Sequence, residues 1–128
     1  MTETETSRQI VADMYAAAAK MDFESMLSYV ADDLVLHEPA FLPYGDVYQG
    51  KQGMAGAIEK IAGYLDVTKI EVRYLVADGD RVFGVVSVPD SRSGEYVLLA
   101  EESVIRDGKV AEMRIYFHEA RSLAVPVP

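Results

Sequence analysis

Between Ser7 and Lys20 the apolar residues Ile10, Val11, Met14, Tyr15 and Ala18 recur at the spacing of one helical face, and Thr6 or Ser7 can cap the start. A second helix is predicted behind Asp22, a good N-cap, burying Phe23, Met26, Leu27 and Val30. A third runs from about Lys51 to Leu65, with Met54, Ala57, Ile58, Ile61, Ala62 and Leu65 on its inner face. Gly53 and Gly63 each weaken it.

The second half of the chain changes to a period of two. Ile70, Val72, Tyr74 and Val76 alternate with Glu71, Arg73 and Leu75, as in a half-buried strand. Asp78-Gly79 signals a tight hairpin into Val82–Val88, a polar loop from Pro89 to Gly94 follows, and a strand runs from Glu95 to Ile105. Asp107-Gly108 makes another tight hairpin before Val110–His118, completing an antiparallel meander of four strands. Between the second and third helices, Asp33 to Pro39 reads as a short strand, with Tyr48-Gln49-Gly50 returning beside it as a hairpin arm. The class is α+β, with the helices covering one face of the sheet. The Pro-rich tail from Ala124 to Pro128 can form neither helix nor central strand, so it frays or docks.

At 128 residues, with half of them apolar and no visible linker or repeat, the chain suits a single domain over 1–128. A net charge of −9 and a pI near 4.6 argue against a nucleic-acid backbone or an anionic membrane as partner. The acidic start, Met1 to Thr6, lacks the features of a signal peptide, and no apolar run approaches the ~20 residues of a membrane span. Cysteine is absent, which removes disulfides, thiol nucleophiles and cysteine–zinc sites. A cytoplasmic location is the simplest expectation.

Several short motifs add to this order of elements: Asp22-Phe23, Ala31-Asp32-Asp33, His37-Glu38-Pro39, Pro43-Tyr44-Gly45 with Tyr48-Gln49-Gly50, and Arg106-Asp107-Gly108-Lys109-Val110. Together, over nearly the whole chain, they resemble the nuclear transport factor 2-like superfamily, in the branch holding ketosteroid isomerases and SnoaL-like polyketide cyclases. The resemblance implies a cone-shaped α+β barrel in which helices close over a curved sheet and leave a deep apolar pocket. On the last strand Ala111, Met113, Ile115 and Phe117 alternate with Glu112, Arg114, Tyr116 and His118, so the apolar set faces that pocket or forms solid core.

Glu38 is the leading catalytic candidate. Alternation puts it on the face of Leu34 and Leu36, where burial raises a carboxyl pKa toward the range of a general base. The alternative is that it ends the strand and reaches water. Glu38-Pro39 also sits where the resemblance implies the acid that takes a proton next to a carbonyl. In ketosteroid isomerases that base works with an oxyanion hole of a tyrosine and a protonated aspartic acid. Counted from Asp22, the tyrosine position falls on Met14, with Tyr15 one residue away. Counted from the last hairpin, the aspartic acid position falls on Leu98, and the last-strand carboxylate of the epoxide-hydrolase branch falls on Ile115. The resemblance therefore supports neither steroid isomerisation nor epoxide hydrolysis.

Tyr15, Tyr44, Tyr48 and Tyr96 can each offer a hydroxyl to an oxyanion, or serve as amphipathic core and rim residues. Glu102 shares parity with Leu98 and Ala100, which the count from Asp107-Gly108 places on the pocket side, so Leu98 is expected to line the pocket and Glu101 to face away. Tyr15 and Glu102 join Glu38 as catalytic candidates, the alternative for Glu102 being a solvated position at the strand's end. Met14, Phe41, Tyr44, Tyr48, Ile58, Tyr96, Leu98, Met113, Ile115 and Phe117 are the expected substrate-binding walls. His37 and Glu38 point to opposite sides of a strand and cannot chelate one ion, and no metal motif, GxGxxG or P-loop is present. His118 is expected at a rim or interface.

The expected activity is a cofactor-independent isomerase, cyclase or lyase acting on a small apolar carbonyl compound. A non-catalytic small-molecule-binding module and a dimerisation scaffold with a collapsed pocket are the alternatives. A homodimer is expected through the outer sheet face, with Val97, Leu99 and Tyr116 beside Arg114 and His118.

Overall fold

A computed structural model describes residues 1–126. Helix α1 (Glu3–Ala19) starts four residues before the periodic stretch, because the Thr2 hydroxyl caps it by accepting the Glu5 N–H at 3.1 Å. Glu3 and Glu5 then sit in its positively polarised first turn. Met21, at φ 60°, reverses the chain into α2 (Phe23–Ser28), where the Asp22 carboxylate accepts the Ser25 N–H at 3.1 Å. Strand β1 (Val30–His37) pairs antiparallel with β2 (Val47–Gln49), the expected hairpin arm. Helix α3 (Gly50–Ile61) follows and ends short of Leu65; a 3₁₀ turn at Val67–Lys69 leads into the meander.

Strands β3 (Glu71–Asp78), β4 (Arg81–Pro89), β5 (Tyr96–Arg106) and β6 (Lys109–Phe117) pair in succession, and β1 joins β6 in parallel. The six-stranded sheet has the order β2-β1-β6-β5-β4-β3, so β2 and β3 remain open edges and the sheet does not close. The helices lie on its concave face over a core that includes Val11, Leu34, Val82, Val86 and Val110. No helix among the described residues is long and apolar enough to cross a membrane.

One irregularity changes the reading of β5. Asp107 (φ 52°) and Gly108 (φ 74°) form the expected tight turn, and Arg106 pairs with Lys109 and Ile105 with Val110. The next pair is Val104 with Glu112, which leaves Ala111 as an extra, bulged residue. An uninterrupted count would face Glu102 with Met113. The bulge instead faces Ser103 with Met113, Glu101 with Ile115 and Leu99 with Phe117. Cross-strand partners share a face, so every side chain of β5 before the bulge is opposite to expectation. Leu98 is 37% exposed on the convex side, while Glu101 enters the concave side. Val97 and Leu99, expected outside, are buried.

The convex face carries Tyr74, Val76, Phe83, Leu98 and Tyr116 in exposed positions. Across it, the Tyr116 hydroxyl donates to Glu102 at 2.8 Å, Arg81 also pairs with Glu102, and Glu112 lies between Arg114 (3.5 Å) and His37 (3.4 Å). At the chain's end Leu123 is fully buried, and the Arg92 guanidinium donates to the carbonyls of Ser122 and of Val125 (3.1 Å), so the tail docks at least to Val125. Val127 and Pro128 lie outside the described residues.

The bulge makes two neighbouring leucines energetically unlike. Leu99→Ala should destabilise the protein by about 2–4 kcal/mol in urea unfolding, and Leu98→Ala by less than about 1 kcal/mol. Equal or inverted losses would mean that β5 sits in the uninterrupted register.

Candidate functional site

Between the concave face and the helices lies a cavity of about 130 Å³. The pocket is therefore not collapsed into solid core. Met14 and Tyr15 come from α1, Phe23 and Met26 from α2, and Met54 and Ile58 from α3. Leu36 and Glu38 close the end of β1, while Val86, Leu99, Glu101, Met113, Ile115 and Phe117 come from the meander. Among the lining residues only Tyr15, Glu38, Tyr44 and Glu101 carry polar side-chain groups able to hydrogen-bond strongly, and none is cationic.

Glu38 follows the last residue of β1 and keeps that strand's alternation, so its side chain enters the cavity beside Leu36. Its N–H donates to the Asp46 carbonyl at 3.0 Å, and Pro39 then ends the pairing. The side chain is only 8% exposed, and Oε1 has no hydrogen-bond partner among the described residues. Burial, aided by the nearby charge of Glu101, pushes the Glu38 pKa up to about 8. Near neutral pH most of the population is the neutral acid, and the carboxylate is reached within the ordinary working range.

The loop after Pro39 folds tightly on itself: the Leu42 N–H donates to Pro39 (3.1 Å) and the Gly45 N–H to Leu42 (2.8 Å). A Cβ on Gly45 would sit 2.1 Å from the Pro39 carbonyl oxygen, so no larger residue fits without opening the loop. This loop delivers Tyr44, whose ring tilts against Tyr64 at 5.3 Å between centroids and whose buried hydroxyl has no partner. Burial first, then the charges of Glu38 and Glu101, raise the Tyr44 pKa, so it remains a protonated donor. Behind it, the Tyr48 hydroxyl donates to the Tyr44 carbonyl at 2.6 Å.

On the other side the Tyr15 hydroxyl donates to Glu101 Oε1 at 2.6 Å. Burial raises the Glu101 pKa against the opposing effect of that hydrogen bond. Burial also holds the Tyr15 pKa well above normal, with the Glu101 charge adding to it. Gly84 is the cross-strand partner of Glu101, and a Cβ there would stand 2.6 Å from the Tyr15 hydroxyl oxygen. The missing side chain is what admits the ring.

The structure brings Glu38, Tyr15, Met14, Tyr44, Ile58, Met113, Ile115 and Phe117 to one cavity. It does not bring Phe41, which is 62% exposed on the loop beyond Pro39, or Tyr96, 52% exposed at the start of β5. Tyr48 is buried but stands behind Tyr44, outside the lining. Leu98 and Glu102 face the convex side because of the bulge at Ala111, and Glu102 is held there by Arg81 and Tyr116. Glu101 takes the inner position that Glu102 was expected to fill. A signal for it exists in the sequence: Val110 is apolar but out of phase with Ala111, Met113, Ile115 and Phe117, and both Val110 and Ala111 are buried. No cluster of three or more metal-binding side chains occurs among the described residues.

Solved structures share the fold. A nuclear transport factor 2-like protein from Burkholderia xenovorans is 23% identical with a TM-score of 0.76, covering 94% of this chain and 95% of its own. A candidate ketosteroid isomerase from Kribbella flavida is 19% identical with a TM-score of 0.76, covering 100% and 94%. TerC, crystallised with polyporic acid, is 23% identical with a TM-score of 0.73, covering 88% and 91%. At such identities the likeness is one of fold. No curated protein matches the sequence. The SnoaL-like domain model matches residues 11–113, most of the length, and the chain thus belongs to the SnoaL-like domain family, within the nuclear transport factor 2-like fold.

Proposed function

We propose that the cavity is the active site of a cofactor-independent isomerase, cyclase or lyase that acts on a small apolar carbonyl compound by carboxylate general acid/base catalysis. The observation that carries this reading is a nine-tenths-buried carboxyl group, Glu38, whose unpartnered oxygen lies in one apolar cavity with the unpartnered Tyr44 hydroxyl. Buried polar atoms are almost always satisfied, so two orphans on one void mark groups awaiting a ligand.

In the ionised form Glu38 takes a proton from the carbon next to the carbonyl. The C–H electron pair forms the C=C bond of the enolate, and the carbonyl π pair moves onto oxygen. Tyr44 is the free donor for that oxyanion. Glu38, now protonated, returns the proton to a different carbon in an isomerisation, or to a leaving group in a lyase reaction. Tyr15 and Glu101 form the opposite wall, and burial pushes Glu101 toward its neutral form, which limits its repulsion of the Glu38 carboxylate.

The reading is supported by membership of a family whose fold includes a candidate ketosteroid isomerase. The non-catalytic binding module differs in one respect: ligand affinity there owes nothing to proton transfer. We further propose a homodimer through the convex face, where Tyr74, Val76, Phe83, Leu98 and Tyr116 lie exposed side by side. Sedimentation at micromolar concentration should give twice the chain mass, and Leu98→Lys should return the monomer; a wild-type monomer would refute the dimer.

Deuterium exchange into an enolisable cyclic ketone reads the chemistry directly. Glu38→Gln should lower the exchange rate by about 10²–10⁴-fold and Tyr44→Phe by about 10²-fold, with ligand affinity nearly unchanged in the first. Since Glu38 must be ionised, log(kcat/KM) should climb with unit slope and level off above about pH 8. Exchange that survives in Glu38→Gln would leave the binding module as the function.

Stability should run the other way. Glu38 is raised from an ordinary 4.5 to about 8 by burial, so the folded protein holds its proton more tightly than the unfolded chain does. The resulting stability is complete below pH 4.5 and is lost as pH rises to about 8. The thermal stability of Glu38→Gln relative to wild type should therefore increase across that window, by on the order of 5 kcal/mol in total. A difference that does not change with pH would mean that Glu38 is solvated.

A further inference from the structure

The charges around the cavity extend the range of ligands beyond neutral carbonyl compounds. Glu38 is faced by Glu101 from β5, Tyr15 from α1 and Tyr44 from the loop after Pro39, with Tyr48 of β2 behind Tyr44. His37, its neighbour in sequence, lies on the other side of the strand with Glu112. None of the facing groups is a cation, and among the described residues no Lys, Arg or His lines the cavity. Two neighbouring carboxyl groups in an apolar void cannot both ionise unless a positive charge comes between them. The Tyr15 hydroxyl satisfies one oxygen of Glu101, whereas Glu38 Oε1, on a side chain 8% exposed, is satisfied by nothing.

A more open bowl adjoins the cavity, has the same sign, and shares Phe23, Ile58, Leu65 and Val67 with its wall. The charged residues lining that bowl are Glu59 and Asp66, with Lys69 Nζ 3.9 Å from Asp66. At a net charge of −9 the whole protein attracts cations and repels anions. The cavity's volume, about 130 Å³, is close to that of a ~150 Å³ apolar void known to hold benzene. Four methionines, Met14, Met26, Met54 and Met113, line it and let its shape adapt.

We propose that this cavity binds a small hydrophobic amine as its ammonium ion, one six-membered ring with a short arm. The N–H groups reach Glu38 Oε1 and the Tyr44 hydroxyl oxygen, the charge lies between Glu38 and Glu101, and the ring packs among the methionines. The ligand supplies the counter-charge that the chain omits. Amine binding does not depend on whether Glu38 turns over a carbonyl compound, and the two can fail separately.

Proton linkage separates an ammonium from a neutral guest, because the two depend on pH with opposite sign. Benzylamine binds as a cation and needs Glu38 ionised, so binding releases a proton wherever Glu38 was neutral. A neutral guest that accepts a hydrogen bond from the protonated acid weakens as the acid ionises. Calorimetric titration of the full chain should show benzylamine tightening by up to about tenfold per pH unit from pH 6, levelling near pH 8. At pH 7 about one proton should be released per ligand, seen as a heat that varies with the buffer's ionisation enthalpy. Benzyl alcohol should show no such tightening, and benzoate should not bind. In Glu38→Gln the benzylamine affinity should fall at least tenfold and lose its pH dependence, while benzyl alcohol still binds and so reports an intact cavity. Glu101→Gln should weaken benzylamine and, by removing one of the two causes that raise Glu38, move the inflection to a pH below 8. Benzylamine binding no tighter than benzyl alcohol at pH 8, or binding without proton release, overturns the proposal whether or not either variant folds. Neither of those results bears on the deuterium exchange of the ketone, which remains the test of catalysis.

Discussion

The extra residue that Ala111 places in β6 sets the phase of β5, and the inner wall of the cavity depends on that phase. With the bulge, Glu101 looks across at Ile115 and reaches the Tyr15 hydroxyl. Without it, Leu98, Ala100 and Glu102 would point inward, and Arg81 would lose its carboxylate on the convex face. One inserted residue thus sorts two adjacent glutamates into opposite environments. Glu102 is held ionised by Tyr116 and Arg81, whereas Glu101 is pushed toward neutrality by burial. Bulges bend and twist the strand that carries them, and this sheet has further register shifts between Val30 and Val35 and between Val72 and Tyr74.

The polar groups of the cavity conflict with the apolar packing around them. A solid core would have left no void, no unpartnered Glu38 oxygen and no free Tyr44 hydroxyl. Each of these weakens the fold, and the surrounding elements compensate. The Pro39–Gly45 loop closes on its own carbonyls, Tyr48 braces Tyr44 from behind, and Leu123 plugs the core while Arg92 clips the tail. The cost is local, and the support comes from neighbouring elements.

Most of the architecture was legible because it is written in local period and turn chemistry. The three helices, the meander and the Asp107-Gly108 turn all came from such patterns, as did the inward aim of Glu38 beside Leu36. Tyr15 could be placed on the inner helical face but not paired, because its partner lies 86 residues away on a strand whose phase is not local. The β5 residues failed together, since a single slip inverts every side chain of a strand. Tyr96, the first residue of β5, shares the parity of Leu98 and Glu102 and failed with them. Phe41 failed for a different reason: it lies in the loop beyond β1, where alternation no longer constrains direction.

Gly84 fills its place in β4 by having nothing there. Its vacancy is shaped to a ring from another element, so the constraint on this position comes from Tyr15, far away in sequence, rather than from its own strand. An alanine here would keep strand pairing and push the phenol off Glu101. That would leave two unshielded carboxyl groups facing each other across an apolar space. The position is therefore a handle for redesign. A single methyl group would turn a cavity with one available acid into one with a matched pair, and would change its appetite for protons without altering any ionisable residue.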